Sequence, residues 1–157
     1  MIDLQTLIRH LQRATSEMPE RLLVQHEANA HVVAGQAAEY LGHELPEWPP
    51  LSSWTVEEKT RLGYVGQVSA TDPGLRTGDM QQSVEGAADA DGFTVGSKDK
   101  KALWFEMGRA ATPLGGPQPP RPFLALALQR NLPHLGDTYG RILAQALTPP
   151  ATRARIP

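Results

Sequence analysis

The sequence predicts an α+β fold, in which an antiparallel sheet of three or four strands packs against a long N-terminal helix and C-terminal helices, with a long irregular loop between the first helices and the sheet. Three observations predict it. Apolar residues recur every three or four positions near both ends of the chain, as on one face of a helix. Residues 80–107 carry alternating patterns and an Asp91-Gly92 turn signal, which indicate strands and a hairpin. Proline and glycine, 14 of each in 157 residues, cluster in two places and indicate loops there.

Two helices are predicted at the N-terminal end. The first covers residues 3–13, with Asp3 placed to cap it. Its apolar stripe consists of Leu4, Leu7, Ile8 and Leu11. The second begins at Pro19, a residue suited to the first helical position, and ends before Gly42. It would be about 33 Å long at 1.5 Å per residue, and its alanine-rich stripe predicts close packing against the sheet.

Residues 42–78 form the long irregular loop, because helical and strand periodicity both fail there. Ser53 or Thr55 is expected to cap one short helix inside it. The loop also contains Trp48 and Trp54, and a long connection that carries two tryptophans is expected to lie against another surface rather than in water. We expect that surface to belong to another subunit.

The predicted sheet is an antiparallel meander. Alternation from Met80 predicts the first strand, Asp91-Gly92 the hairpin, and Phe93–Val95 the second strand. The third strand is predicted over Ala102–Met107, with bulky residues on both faces, including Trp104, and it ends at Gly108. Such a meander is stable only when helices cover one of its faces.

A stiff proline-rich connection leads from the predicted sheet to the C-terminal helices. Prolines flank Arg121, and Pro122 precedes Phe123 and Leu124, which are expected to fix the C-terminal helix on the sheet. Pro133 is expected to begin a second helix there.

The sequence therefore predicts one domain over residues 1–147 and a flexible C-terminal tail over residues 148–157. The tail contains three prolines, Arg153 and Arg155 but no core pattern, so its removal is expected to leave the fold intact.

Glu106 stands out because it lies inside the most apolar predicted strand. An ionised carboxylate that is buried without a partner costs several kcal/mol, so Glu106 needs a partner or an exposed position. Arg121 is the candidate partner, because a guanidinium can hold a carboxylate with two hydrogen bonds. The alternative is that Glu106 is exposed at the end of the strand.

Composition and motifs argue against several functional classes. A net charge of −2 does not favour general nucleic-acid binding, and the chain has no cysteine for disulfides or thiolate metal sites. It has no apolar run long enough to span a bilayer and no signal-peptide pattern, so we expect a soluble, non-exported protein. Glu27 and His31 are one helical turn apart but lack further ligands, so we expect no metal site. No catalytic constellation or phosphate-binding glycine motif is present, and neither an enzyme nor a cofactor is expected.

Short motifs over residues 19–147 occur in an order typical of a known family. They are Trp48-Pro49-Pro50-Leu51-Ser52 with Thr55 and Lys59, Gly63-Tyr64, Leu75-Arg76-Thr77-Gly78-Asp79-Met80 with Ser83-Val84, Asp91-Gly92, Val95-Gly96-Ser97, Glu106-Met107-Gly108, and Pro119-Pro120-Arg121-Pro122-Phe123-Leu124 with Ala127-Leu128. Together they resemble the small neck and tail-completion proteins of tailed phages, the family of tail components and virion morphogenesis proteins.

The resemblance implies a structural α+β subunit that forms a ring in the neck of a tailed phage or phage-like particle, assembled in the host cytoplasm. Its partners would be further copies of itself, in a hexamer or a twelve-fold ring, a head-side connector or stopper protein, and a tail terminator or tail tube protein. DNA would pass only as cargo. Interface or scaffold roles fall on Trp48, Trp54, Thr77, Gly78, Trp104, Glu106, Gly108, Arg121, Pro122, Phe123 and Leu124.

Two alternatives remain at this point. A tail terminator or head-closure protein would have similar sequence properties and differ in its position on the virion. A small phage-encoded enzyme or host inhibitor would need a concave polar pocket, which the sequence does not indicate.

Overall fold

The computed structural model describes residues 3–63, 71–74, 77–112 and 116–148. Its elements in chain order are α1 (Leu4–Tyr40), α2 (Ser53–Arg61), α3 (Asp79–Gln82), β1 (Val84–Ala88), β2 (Phe93–Ser97), α4 (Lys100–Met107) and α5 (Leu124–Leu147). The predicted α+β class is confirmed, with a two-stranded antiparallel sheet in the described ranges. Tyr64, Leu75 and Arg76, which contribute to the family resemblance, lie outside these ranges, as does the predicted tail beyond Thr148.

α1 is a single helix of 37 residues that runs through Pro19. Asp3 caps it as predicted, because its carboxylate accepts a hydrogen bond from the Thr6 N–H at 2.9 Å. The prediction of a separate helix beginning at Pro19 is wrong. Strong helix formers flank the proline, and Glu17 makes ion pairs one turn away on both sides, with Arg13 and Arg21, which offset only a small part of the cost of the lost backbone bond.

The β1–β2 hairpin packs directly on α1. It pairs Val84 with Ser97 and Ala88 with Phe93, so the predicted hairpin is confirmed, with a four-residue loop over 89–92. Gly86 permits the close packing, because a Cβ there would lie 2.7 Å from the Ala30 carbonyl oxygen of α1.

One predicted strand begins later than expected, and another is a helix. The alternation from Met80 belongs first to the short helix α3, and β1 begins only at Val84. Residues Ala102–Met107 lie in α4, whose first turn is capped by the Asp99 carboxylate, which accepts from the Lys101 N–H at 2.9 Å. Ala102 and Phe105, three positions apart, form its buried face. A short apolar run fits a buried strand and a buried helix equally well, and the cap decides for the helix.

α5 runs antiparallel to the second half of α1. The Asn131 side-chain amide donates to the Gln36 side-chain oxygen, and the Tyr139 ring lies 5.6 Å from the His26 ring, centroid to centroid. Pro133 lies inside this 24-residue helix, so the prediction that it begins a second helix is wrong.

The core lies between the C-terminal half of α1, the hairpin, α4 and the start of α5. At its centre the Phe105 ring makes edge-to-face contacts with Trp48 at 5.5 Å and with Phe123 at 6.0 Å. The buried residues of α1 all lie at or after His26, so the first six turns of this helix extend beyond the core. In the described ranges, none of the helices is both long enough and apolar enough for a membrane span.

Candidate functional site: the tryptophan groove

A broad groove of about 1080 Å³ lies between α2, residues 72–74 and 77–80, α4 and the segment 116–121. We name it the tryptophan groove. The lining residues used below are Trp54, Lys59, Asp79, Asp99, Trp104, Arg109 and Arg121. Its lining combines aromatic, acidic and basic side chains, which suits contact with another polypeptide.

Two exposed tryptophans line this groove. Trp54 is 69% exposed and lies in the first turn of α2, which begins after Ser52; the Ser52 hydroxyl accepts from the Thr55 N–H at 3.3 Å. The short helix predicted in this loop is therefore confirmed, but its N-cap is Ser52 rather than Ser53 or Thr55. Trp104 is 42% exposed on α4, and the Arg109 guanidinium carbon lies 5.1 Å from its ring centroid. An apolar ring that is left this exposed is available for a partner.

Trp48 differs from these two tryptophans because it belongs to the core. It is 7% exposed, and its indole N–H donates to the Pro122 carbonyl at 3.4 Å. The expectation that the loop bearing both tryptophans lies on another subunit is therefore wrong for Trp48, which packs on its own Phe105. The loop folds back because an aromatic core is available within the same chain.

Arg121 holds the first part of that loop in place. It is 4% exposed, and its Nε and a terminal nitrogen donate to the carbonyls of Pro49 and Pro50 at 2.9 and 3.0 Å. Burial lowers the pKa of the guanidinium below its usual value. Arg121 thus ties the loop to the start of α5 and forms part of the groove wall.

Glu106 caps α5 rather than pairing with Arg121. Its carboxylate accepts three backbone N–H groups, from Phe123 at 2.8 Å, Leu124 at 3.0 Å and Ala125 at 2.9 Å. The sequence predicted that Glu106 either pairs with Arg121 or is exposed at the end of a strand. Both predictions are wrong within the subunit. A carboxylate at a helix N-terminus satisfies unpaired donors and interacts favourably with the helix dipole.

Glycine at position 108 lets the chain turn sharply after α4. Gly108 has φ of 76°, and a Cβ there would lie 2.9 Å from the Gln118 carbonyl oxygen. Arg109 and Gln118 then exchange two backbone hydrogen bonds of 2.8 Å, which close the loop beside the groove. This places Arg109 next to Trp104.

The remaining predicted residues shape the backbone or the core. The Thr77 hydroxyl donates to the Asp79 carboxylate at 2.7 Å, and Gly78, with φ of 86°, leads into α3. Phe123 is fully buried, and Leu124 packs partly buried against the core cluster.

Lys59 also lines the groove, and no pattern in the sequence predicted that it would be buried. It is buried on α2, its ammonium donates to the Asp72 carbonyl at 2.6 Å, and burial lowers its pKa, partly offset by the nearby Asp72 charge. The family motif includes this lysine, but a lysine on a short polar helix carries no periodicity signal that it is buried.

Further apolar side chains are exposed away from the groove. They are Leu4, Ile8 and Leu11 on the first turns of α1 and Leu143 and Leu147 near the end of α5, each more than 40% exposed, and we refer to them together as the helix-pair end. Because α5 starts beside the groove and runs antiparallel to α1, this surface and the tryptophan groove lie at opposite ends of α5.

In the described ranges, no group of three or more histidine, aspartate and glutamate side chains is arranged to hold a metal ion. Comparison of the chain with protein-family models, curated proteins and solved structures found no match.

Proposed function

We propose that this chain is a structural subunit that forms a ring in the neck of a tailed phage or phage-like particle, where it completes the tail end or the head–tail junction. The observation that carries the proposal is that apolar side chains are exposed both in the tryptophan groove, beside the start of α5, and in the helix-pair end, towards the end of α5. The family resemblance of the ordered motifs supplies the particle and the location.

A ring made of identical subunits needs two different contact surfaces on every subunit, because each copy meets its neighbours head to tail. The tryptophan groove and the helix-pair end meet this requirement, since they differ in shape and chemistry. Clustered exposed apolar side chains are typical of protein interaction sites. The rigid connection built by Glu106 and Arg121 keeps the groove in a fixed position relative to α5.

The proposed partners are copies of the same chain, in a hexamer or a twelve-fold ring, with a head-side connector or stopper protein on one side and a tail terminator or tail tube protein on the other. DNA passes through the ring as cargo only. The net charge of −2 supports this, because a lumen that does not attract phosphates lets DNA slide.

The proposal is tested with phage particles that lack this chain. Electron microscopy of lysates from a phage in which its gene is deleted is expected to show filled heads and complete tails that fail to join. Wild-type protein supplied in trans is expected to restore joined particles, whereas Trp54→Ala protein is expected to restore fewer. A Thr94→Ala control, at an exposed polar site on β2 outside both surfaces, is expected to complement fully.

Normal particles from the deletion phage would contradict the proposal. Tails of uncontrolled length would instead indicate a tail terminator, and heads that lose DNA would indicate a head-closure protein.

A further inference from the structure

We propose that the first turns of α1 of one subunit, residues 4–11, bind in the tryptophan groove of the neighbouring subunit. The inference rests on the ring assembly proposed above, and it names the contact that links one subunit to the next. Both halves of this contact lie among the described residues, and both are exposed in the single chain.

The first turns of α1 carry an apolar stripe that the subunit leaves largely uncovered. Leu4, Ile8 and Leu11 are 71%, 45% and 41% exposed. Their spacing of four and three positions places them on one face of the helix. The buried residues of α1 begin only at His26, so residues 4–11 extend beyond the core. Helices that bind in apolar grooves use anchors at this spacing.

The rigid length of α1 keeps this stripe away from the groove of its own subunit. The groove lies at the C-terminal end of α1, because a Cβ on Gly74, which lines it, would lie 2.9 Å from the Leu41 side chain. Leu11, the anchor nearest to the groove, is about 44 Å from Tyr40 along the helix at 1.5 Å per residue. Since α1 is one continuous helix, it cannot fold back on itself. The stripe can therefore enter only the groove of a second copy of the chain.

The size of the groove suits the apolar half of a helix. Residues 4–11 form a cylinder about 12 Å long and 10–12 Å across, and the half that carries the stripe occupies about 500–700 Å³. The groove holds about 1080 Å³, which leaves room for this half and for adjustment of its side chains.

The lining of the groove also suits a helix. Trp54 and Trp104 line it together with Pro50, Pro117 and Pro119, so aliphatic side chains meet aromatic and pyrrolidine rings there. A helix satisfies its backbone hydrogen bonds internally, so it can lie on such a surface without further polar partners. An extended segment would need new partners for its backbone groups. The groove therefore favours a helix over a strand.

Each subunit then inserts the start of its α1 into one neighbour and receives the start of α1 from the other. This is a head-to-tail contact, because the two halves are different surfaces, and it closes into a ring when the rotation between subunits permits. Loss of either half should stop assembly, and variants that lack opposite halves should complement each other.

The test uses two full-length variants that each lack one half of the contact. The groove variant carries Trp54→Ala and Trp104→Ala. The helix variant carries Leu4→Gln, Ile8→Gln and Leu11→Gln, because glutamine removes the apolar stripe and still favours a helix.

Each half of the contact has a matched control. Val24→Gln replaces an exposed apolar residue of α1 outside the stripe, and Leu103→Ala replaces an exposed apolar residue of α4 beside Trp104. Sedimentation velocity measures the masses, and circular dichroism checks that each variant is folded.

Wild type and both controls are expected to form the same oligomer. Each multiple variant alone is expected to be monomeric, with association at least about 30-fold weaker, as for the loss of a hot-spot contact. An equimolar mixture of the two variants is expected to form dimers and nothing larger, because one intact helix meets one intact groove and the other two halves are blocked.

Tryptophan fluorescence shows whether the groove is the place of contact. Trp48 is already buried in the single chain, whereas Trp54 and Trp104 are exposed. Assembly of wild type is therefore expected to reduce quenching of the fluorescence by acrylamide, and the helix variant is expected to show no such protection at the same concentration. Oligomers that leave quenching unchanged would overturn the inference.

Three further results would overturn it: a monomeric wild-type chain, variants that assemble as wild type does, or a mixture that stays monomeric. The helix variant and the fluorescence measurement keep the test decisive if the groove variant fails to fold. If the variants assemble normally but the chain is required for joined particles, only this contact is wrong. If particles form without the chain, the proposed function is wrong.

Discussion

Glu106 shows at the scale of one residue how the start of α5 is fixed. Three backbone N–H groups that have no partner within the helix converge on its carboxylate. The same carboxylate lies on α4, which forms one wall of the tryptophan groove. Glu106 thereby couples the position of α5 to the shape of the groove.

Replacement of Glu106 by alanine is expected to lower the free energy of unfolding by about 2–3 kcal/mol, because it leaves these donors without a charged acceptor. Glu106→Gln is expected to recover part of the loss, since its amide oxygen still accepts. Urea denaturation measures both effects. Glu57→Ala, at an exposed site on α2, is the control and should change little. Equal stability of Glu106→Ala and wild type would show that the cap contributes nothing.

Arg121 fixes the loop that carries Trp48, and its substitution tests that role. Arg121→Ala is expected to cost about 3 kcal/mol, because the carbonyls of Pro49 and Pro50 lose the charged donor that holds them. Arg121→Lys should recover less than half, since an ammonium lacks the planar pair of donors. The midpoint of urea unfolding gives both values, with Lys101→Ala, exposed on α4, as the control. If Arg121→Lys restored the full stability of wild type, the contact would not depend on two guanidinium donors aimed at the two prolyl carbonyls.

The tryptophans provide a matched pair of substitutions. Trp48→Ala is expected to destabilise the fold by about 3–5 kcal/mol, because it opens a cavity beside Phe105. Trp54→Ala is expected to change stability by no more than about 0.5 kcal/mol, because the side chain is mostly exposed, while it weakens self-association. Thermal unfolding and sedimentation separate the two effects. If Trp54→Ala unfolds the chain, Trp54 is a core residue and the groove loses one of its rings.

At the scale of elements, α5 carries an internal proline at a cost. Pro133 cannot donate to the carbonyl of Gln129 and crowds the preceding turn. Pro133→Ala is therefore expected to raise the free energy of unfolding by as much as about 3 kcal/mol. The midpoint of urea denaturation measures the change, and Gln129→Ala, exposed on the same helix, is the control. A loss of stability in Pro133→Ala would mean that the packing of α5 on α1 requires the proline.

Local signals in the sequence were sufficient for several elements. The Asp3 cap, the short helix α2 and the hairpin at Asp91-Gly92 could be predicted because each depends on residues close in sequence. Pro19 and Pro133 were each expected to begin a helix, but both lie inside one. The packing of α1 on α5 outweighs the penalty of an internal proline, and the local sequence does not reveal that packing.

The elements around the candidate site were harder to predict. Residues 102–107 are too short and too apolar for periodicity to distinguish a strand from a helix, and only the cap at Asp99 separates the two. The roles of Glu106 and Arg121 depend on contacts with segments far away in sequence, which a pattern cannot supply. Trp48 and Trp54 lie six positions apart in one loop, yet only the fold shows that the first is buried and the second exposed.

At the scale of the whole molecule, α5 separates two surfaces of different chemistry. The tryptophan groove lies at its start, and the helix-pair end lies at its finish, where the first turns of α1 extend beyond the core. A subunit with distinct surfaces at its two ends is suited to head-to-tail assembly rather than to a symmetric dimer. The proposed assembled state is therefore a closed ring.

Negative-stain electron microscopy of the purified full-length chain at high concentration tests this statement most directly. Closed rings of uniform diameter are expected, and they are expected to disappear when Trp54 and Trp104 are both replaced by alanine. Symmetric dimers, open filaments or rings that persist without both tryptophans would contradict the proposed assembly.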